Sequence, residues 1–305
     1  MLISGLLLTM SSVVFAQNDC SNGRYRDSIF STVKVTSAVL FGEAEQIVDI
    51  SGPDNTPNVM TQKLYMDIYE PEGDAVTNRP VLVLAFGGAF VFGTRTDAYM
   101  VDLCTRYAKL GYVAVSIDYR LTRELALKTV TMNDTIAPKA VLKGTHDMKA
   151  AIRFMRKSAL VDGNPYGIDP NQIYTGGLSA GAFCALHAAY LDRMEEVPEI
   201  LKPYAETHGR IEGLSGNPDY SSAVAGVISF SGALGDSIWL EAGNVPLVST
   251  HGTADAVVPY GSDSVTILGI NYPVDGSSSI HKRANHLGVR NAFYTYYGAS
   301  HAPES

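Results

Sequence analysis

Gly177-Leu178-Ser179-Ala180-Gly181 sets a serine between two glycines, where a strand-like run, Gln172-Ile173-Tyr174-Thr175, meets a run carrying Ala180, Ala182, Ala185, Ala188 and Ala189. That context suggests a chemistry. A nucleophilic hydroxyl must stand clear of a sheet on a strand-to-helix turn so tight that side chains two residues to either side would collide. Glycine has no Cβ to collide with. The hydroxyl is a weak nucleophile until a base removes its proton, so a carboxylate and then a histidine are expected further along the chain. Asp255 lies in His251-Gly252-Thr253-Ala254-Asp255, just after the apolar run Pro246–Thr250. His301 lies in Gly298-Ala299-Ser300-His301, just after Phe293–Tyr297. In this arrangement Asp255 fixes the imidazole tautomer and His301 takes the Ser179 proton, returning it to the leaving group. The N–H of Ala180, next to the serine, is one expected donor to the oxyanion, and the Gly87-Gly88 turn is placed to supply more.

Seven histidines compete for the role of base. His187 falls inside the Ala-rich run, and His281 and His286 fall inside a later helical run. His146 and His208 adjoin the wrong elements. His251 comes close but precedes the acid instead of following the final strand. Asp275, before the last helix, is the alternative to Asp255 and reads as a turn residue. Ser179, Asp255 and His301 are therefore the expected catalytic set.

These residues need a scaffold that presents strand ends. Val81-Leu82-Val83-Leu84-Ala85 is a continuous apolar run, as expected for a strand covered on both faces. Strand patterns are also read at Ser31–Ile50, with a turn at Phe41-Gly42, and at Lys63–Tyr69, Tyr112–Ile117, Val224–Phe230, Val245–Thr250 and Asn291–Tyr297. Helical patterns cover Asp97–Leu110, closed by Gly111, and Lys139–Ser158, the Ala-rich run and Ser278–Val289. This alternation predicts an α/β fold with a mostly parallel central sheet and helices on both faces, whose site lies at the carboxyl ends of the strands. Residues 17–305 read as a single α/β domain. Residues 191–222 are long for a connection in such a domain and read as an insertion near the active site, or as a plain surface excursion.

Composition narrows the functional classes. A formal net charge of −8 with no Lys/Arg run argues against a nucleic-acid partner. Residues 1–16 resemble a secretory signal peptide, with an apolar stretch and Val14-Phe15-Ala16 as a cleavage site, although the basic leading segment is missing. No later segment is apolar enough to span a membrane. An exported protein permits a disulfide, and among the three cysteines Cys20 and Cys104 are the expected pair, with Cys184 packing as a small apolar residue. No spacing suggests a metal site, and the expected chemistry uses no cofactor.

Phe86-Gly87-Gly88-Ala89-Phe90 is similar to the His-Gly-Gly-Gly-Phe motif of α/β-hydrolase carboxylesterases, and Asp118-Tyr119-Arg120-Leu121 resembles their Asp-Tyr-Arg-Leu. With Gly177–Gly181, Asp255 and His301, five ordered motifs over about residues 64–301 carry the resemblance. It points toward secreted bacterial feruloyl/acetyl-xylan and general carboxylesterases. The resemblance implies an α/β-hydrolase fold, an ester substrate, an acyl-enzyme on Ser179, oxyanion donors at Gly88, Ala89 and Ala180, and a secreted or periplasmic bacterial location. Phe86 stands where the family has histidine, and Ala89 where it has a third glycine. Phe86, Phe90 and Trp239 are candidates for pocket walls, with core packing the alternative. Polyester or feruloylated-polysaccharide hydrolysis, a serine peptidase of the same fold and a non-catalytic binding protein are the rival functions.

Overall fold

The computed structural model describes residues 20, 22–49, 58–122, 135–267 and 270–305. The expected leader, residues 1–16, lies outside them. In chain order the elements are β1 (Val33–Asp49), β2 (Asn58–Pro71), β3 (Arg79–Ala85), α1 (Ala98–Leu110), β4 (Val113–Ile117), α2 (Ile136–Leu160), β5 (Ile168–Leu178), α3 (Ala180–Tyr190), α4 (Lys202–Thr207), β6 (Gly226–Phe230), β7 (Ala233–Leu234), β8 (Leu247–Gly252), β9 (Ser262–Ile267), β10 (Ile270–Gly276), α5 (Ser277–Leu287) and β11 (Asn291–Tyr296).

An eight-stranded sheet runs β1-β2-β4-β3-β5-β6-β8-β11. From β4 to β11 every neighbour is parallel, while β1 and β2 join antiparallel at one edge. The apolar runs explain the order. Every residue of β3 and β4 is buried, each large apolar side chain contributing about 1.5–3 kcal/mol by leaving water. Such strands require cover on both faces and neighbours on both edges. Helices α2 and α3 pack on each other across the centre of the sheet. A Cβ on Gly144 of α2 would lie 2.5 Å from Cys184 Sγ of α3, so that contact depends on glycine.

Four expectations change. The turn read at Phe41-Gly42 is a bulge within one long strand, with register shifts at Thr36/Val39 and Leu40/Gly42; the chain bends there without reversing. A separate antiparallel sheet, β7-β10-β9, occupies a region where no strand was expected. The Cys20–Cys104 bridge is not formed. Helix α1 puts Cys104 on its core face with Met100 and Ala108, while Cys20 is exposed, and burial pushes the Cys104 thiol pKa far up. Finally, of the two readings of residues 191–222, the surface excursion fits better, since none of them lines the cleft at Ser179. They pack on α2, where Glu212 accepts from Lys149 (2.8 Å) and Arg153 (3.2 Å). Among the described residues, no helix is long and apolar enough to cross a membrane, and no three His, Cys, Asp or Glu side chains group as metal ligands.

Candidate active site

Ser179 follows directly on β5 and precedes α3, at φ 53° and ψ −118°. That φ is left-handed and strained for a side chain with a Cβ. The turn is held by the Ser179 N–H donating to Phe230 O (2.9 Å) and the Phe183 N–H donating to Ser179 O (3.1 Å). The flanking glycines are needed for close approach. A Cβ on Gly177 would sit 2.4 Å from the Gly181 carbonyl carbon, and one on Gly181 would sit 2.1 Å from Ala85 O.

The loops after β8 and β11, two neighbouring parallel strands, bring the other two groups to the serine. Ala254 N–H donates to Ala299 O (2.9 Å) and Gly298 N–H to Thr253 Oγ1 (2.8 Å), tying the loops together. Ser179 Oγ lies 2.9 Å from His301 Nε2, and His301 Nδ1 lies 2.7 Å from Asp255 Oδ2. The network assigns the proton on Nδ1, leaving Nε2 to accept from the serine. The Asp255 carboxylate is fully buried. Burial alone would raise its pKa. Hydrogen bonds from His251, His301 and the N–H groups of Val258 and Val257 outweigh burial and hold it well below the usual carboxylate range. The carboxylate therefore stays charged beside the imidazole.

The loop after β3 carries Gly88 and Ala89, two of the residues expected as oxyanion donors. Gly88 has φ 120°, and a Cβ there would sit 2.0 Å from Phe92 O. Among the described residues, none of the loop, turn or cap hydrogen bonds uses the N–H of Gly88, Ala89 or Ala180. The Asp118-Tyr119-Arg120 stretch braces this loop. Tyr119 donates its hydroxyl to Phe86 O (3.0 Å) and stacks on the Phe86 ring with centroids 4.3 Å apart. An anchor thus comes from Tyr119 although Phe86 replaces histidine. Asp118 pairs with Arg95 (2.7 Å), which also reaches Asp67 (3.0 Å).

Ala89 holds φ 52°, where a third glycine would be unstrained. The left-handed conformation costs an alanine about 1–2 kcal/mol, more than the unfolded-state entropy that glycine would add. Ala89→Gly is expected to raise the unfolding midpoint by about 2 °C, as read by scanning calorimetry.

An open cleft of ≈ 380 Å³ reaches Ser179 and His301. Phe86 borders it but is only 2% exposed, because its ring lies under Tyr119. Phe90 is not on the cleft. At φ 62° its backbone turns the ring inward, edge-on to Tyr119 and Phe183. Trp239 is also elsewhere, edge-on to His187 (5.5 Å) in a separate groove walled by Val197, Pro198 and Tyr272. The cleft walls not anticipated from sequence are Phe92, Tyr99, Met100, Leu178, Val257 and Ala302. Phe92 and Val257 are 66% and 53% exposed. Their positions next to the glycine turn and two residues after Asp255 were the available signals.

The rival residues take other roles. Asp275 accepts from the Ser237 N–H (2.8 Å) and from Ser262 Oγ, joining the small sheet to the turn before Trp239. His187 donates to Phe183 O (2.8 Å), and burial lowers its pKa to about 4. His146 lies 2.7 Å from Arg210 O, and burial lowers it to about 4 as well. His208 stacks on Tyr204 and His281 on Phe293, and His286 is exposed. His251 is different: its Nε2 lies 3.1 Å from Asp255 Oδ2, the oxygen that His301 also contacts.

The fold resembles that of known esterases. Structures of the esterase 2 of Thermogutta terrifontis, a Planctomycetes species, superpose with TM-scores of 0.54 in the propionate-bound form, at 23% identity over 85% of each chain, and 0.55 in the paraoxon-phosphorylated form, at 22% identity over 85% of this chain and 84% of that one. These likenesses speak for the α/β-hydrolase fold. A carboxylic ester hydrolase of Bombus ignitus is 32% identical over 152 residues, 49% of this chain and 25% of that protein. A probable isoprenylcysteine alpha-carbonyl methylesterase of Oryza sativa subsp. japonica is 32% identical over 137 residues, 43% of this chain and 28% of that protein. The chain thus spans about a quarter of the length of these curated relatives. The family model described as BD-FAE matches residues 66–235, more than half of the chain, and the chain belongs to that family.

Proposed function

We propose that this chain is a serine hydrolase that cleaves carboxylic esters through an acyl-enzyme on Ser179. The observation that carries the reading is the Ser179 Oγ–His301 Nε2–Asp255 relay, at 2.9 and 2.7 Å, on a strained strand-to-helix turn. Ser179 Oγ adds to the ester carbonyl carbon while His301 Nε2 takes its proton. The resulting oxyanion faces the N–H groups of Gly88, Ala89 and Ala180, and Asp255 balances the imidazolium. The C–O bond to the alcohol then breaks, and His301 gives the proton to the leaving alkoxide. Water repeats the sequence on the acyl-serine, releasing the acid and restoring Ser179.

Exposed Phe92 and Val257 give the cleft an apolar rim. Such a rim favours esters with a bulky apolar or aromatic acyl part, including feruloyl groups on polysaccharide or a polyester chain. The apolar leader at residues 1–16 supports action outside the cytoplasm, in a secreted or periplasmic bacterial setting.

Paraoxon tests the nucleophile directly, since the Thermogutta terrifontis esterase is phosphorylated by it. The expected result is release of p-nitrophenolate and one diethylphosphoryl group on Ser179, located by peptide mass spectrometry. The same protein should turn over p-nitrophenyl acetate and leave p-nitroacetanilide intact. A folded protein with neither adduct nor turnover would remove the proposal, and cleavage of the anilide would favour a peptidase.

A further inference from the structure

His251 is fully buried, yet none of its polar atoms is idle. Its Nε2 lies 3.1 Å from Asp255 Oδ2 and 3.1 Å from Val258 O. Its Nδ1 lies 2.8 Å from Ser277 Oγ, at the start of α5. A carboxylate and a carbonyl only accept, so Nε2 carries the proton and donates to both. In the neutral ring Nδ1 then accepts from the Ser277 hydroxyl. One carboxylate oxygen thus faces two imidazole N–H groups, from His301 and His251, while Oδ1 faces the N–H groups of Val257 (2.8 Å) and Val258 (2.9 Å).

We propose that His251 is a positioning residue that, oriented by Ser277, fixes the Asp255 carboxylate toward His301 and shares its charge. The inference rests on the proposed roles of Ser179, His301 and Asp255, and extends the catalytic apparatus to the start of α5. With two donors on Oδ1 and two on Oδ2, the carboxylate cannot swing away from His301 Nδ1. The His251 N–H also draws charge from the oxygen that stabilises the imidazolium, which makes the His301 proton easier to return to the leaving group. Removing that donor has a signed consequence. Oδ2 holds the imidazolium more strongly, so the acid limb of the rate profile moves to higher pH, while the looser carboxylate lowers kcat.

A carboxylate lies beside this network: Glu304, three residues after His301, accepts from Thr250 Oγ1, next to His251, and from Ser231 Oγ (3.5 Å). Tyr260 lies edge-on to the His251 ring at 5.7 Å, with its hydroxyl 3.0 Å from Thr295 Oγ1. Ser277 faces it from α5, and His301 and Ser179 face it from the cleft side. Among the described residues no lysine or arginine forms an ion pair with Asp255.

The test is the pH profile of kcat and kcat/KM for p-nitrophenyl acetate in His251→Phe, His251→Gln and Ser277→Ala, beside wild type and Ser179→Ala. His251→Phe should lower kcat about tenfold, the size set by one hydrogen bond to a charged group, with KM within a factor of two. Its acid limb should move up by about half a pH unit. His251→Gln, which returns an N–H at similar reach, should recover most of both effects. Ser277→Ala should give a smaller change in the same directions, and it decides the matter if His251→Phe does not fold. A lower melting temperature with an unmoved acid limb, or a Gln variant no better than Phe, would reduce His251 to a packing residue and overturn the inference. Full activity in Ser179→Ala would instead overturn the catalytic reading beneath it, so the two failures are distinguishable.

Discussion

Ser179→Ala is expected to lower kcat/KM for p-nitrophenyl acetate by about 10⁵-fold, some 7 kcal/mol of transition-state stabilisation, with little change in the unfolding midpoint. The substitution deletes the atom proposed to attack and no bond of the turn's backbone. The retained Cβ keeps the same strained φ of 53°, and the backbone bonds to Phe230 and Phe183 do not involve the hydroxyl. Residual turnover reflects only the oxyanion site and binding. The companion variant Asp255→Asn should cost about 10⁴-fold. Its amide sets an N–H or a weaker acceptor against His301 Nδ1 and against His251, disturbing the tautomer that leaves Nε2 free to accept. Initial rates of both variants at matched protein concentration, with paraoxon titration of the wild type, check the prediction. Losses below tenfold would show that Ser179 is not the nucleophile.

The largest effect on stability is expected from Asp147→Ala, about 3–5 kcal/mol, or a fall of about 10 °C in the unfolding midpoint. Asp147 is fully buried. It accepts from the Arg120 N–H (2.8 Å), the Arg120 guanidinium (2.9 Å) and Ser215 Oγ (2.6 Å). Truncation leaves the guanidinium of Arg120, a residue only 4% exposed, without its counter-charge. The cost is that of an uncompensated buried charge, which exceeds the net worth of the pair. The double variant Arg120→Met/Asp147→Leu should therefore recover most of the loss. Arg120 follows Tyr119, whose hydroxyl braces the loop after β3 proposed to hold the oxyanion, so Asp147→Ala should also reduce turnover well below its melting temperature. Denaturant titration and calorimetry of the single and double variants test this; a double variant as unstable as the single one would argue against the buried-charge account.

Much of the central sheet was legible in local pattern. The continuous apolar run at Val81–Ala85, the Gly111 stop after α1 and the spacing of later apolar runs each reflect a short-range rule, and the observed elements differ from the expected ones mainly at their ends. Ser262–Ile267 and Ile270–Gly276 were not legible as strands. Their pairing is with each other and with the two residues of β7, and β10 carries a proline, Pro273, that weakens any strand pattern. The Phe41-Gly42 bulge was misread because glycine marks a bend and a reversal alike.

At the site, a rule that each residue follow a strand of a parallel sheet, in the order Ser179, Asp255, His301, selects from seven histidines the one that lies within hydrogen-bond reach of both other groups. Tertiary structure alone decided how the surroundings are shared. Phe90 and Phe92 are two residues apart in one apolar stretch. The positive φ of Phe90 sends its ring to the core, while Phe92 faces the cleft. His251 competed with His301 as a base in the sequence, yet both contact the same oxygen of Asp255, and the partner that orients His251, Ser277, lies on another helix. Which candidate residues follow a strand end, and in what order, is written in local, strand-by-strand rules. Burial, ring direction and the sharing of one carboxylate by two imidazoles arise from contacts between distant segments, which no local pattern encodes.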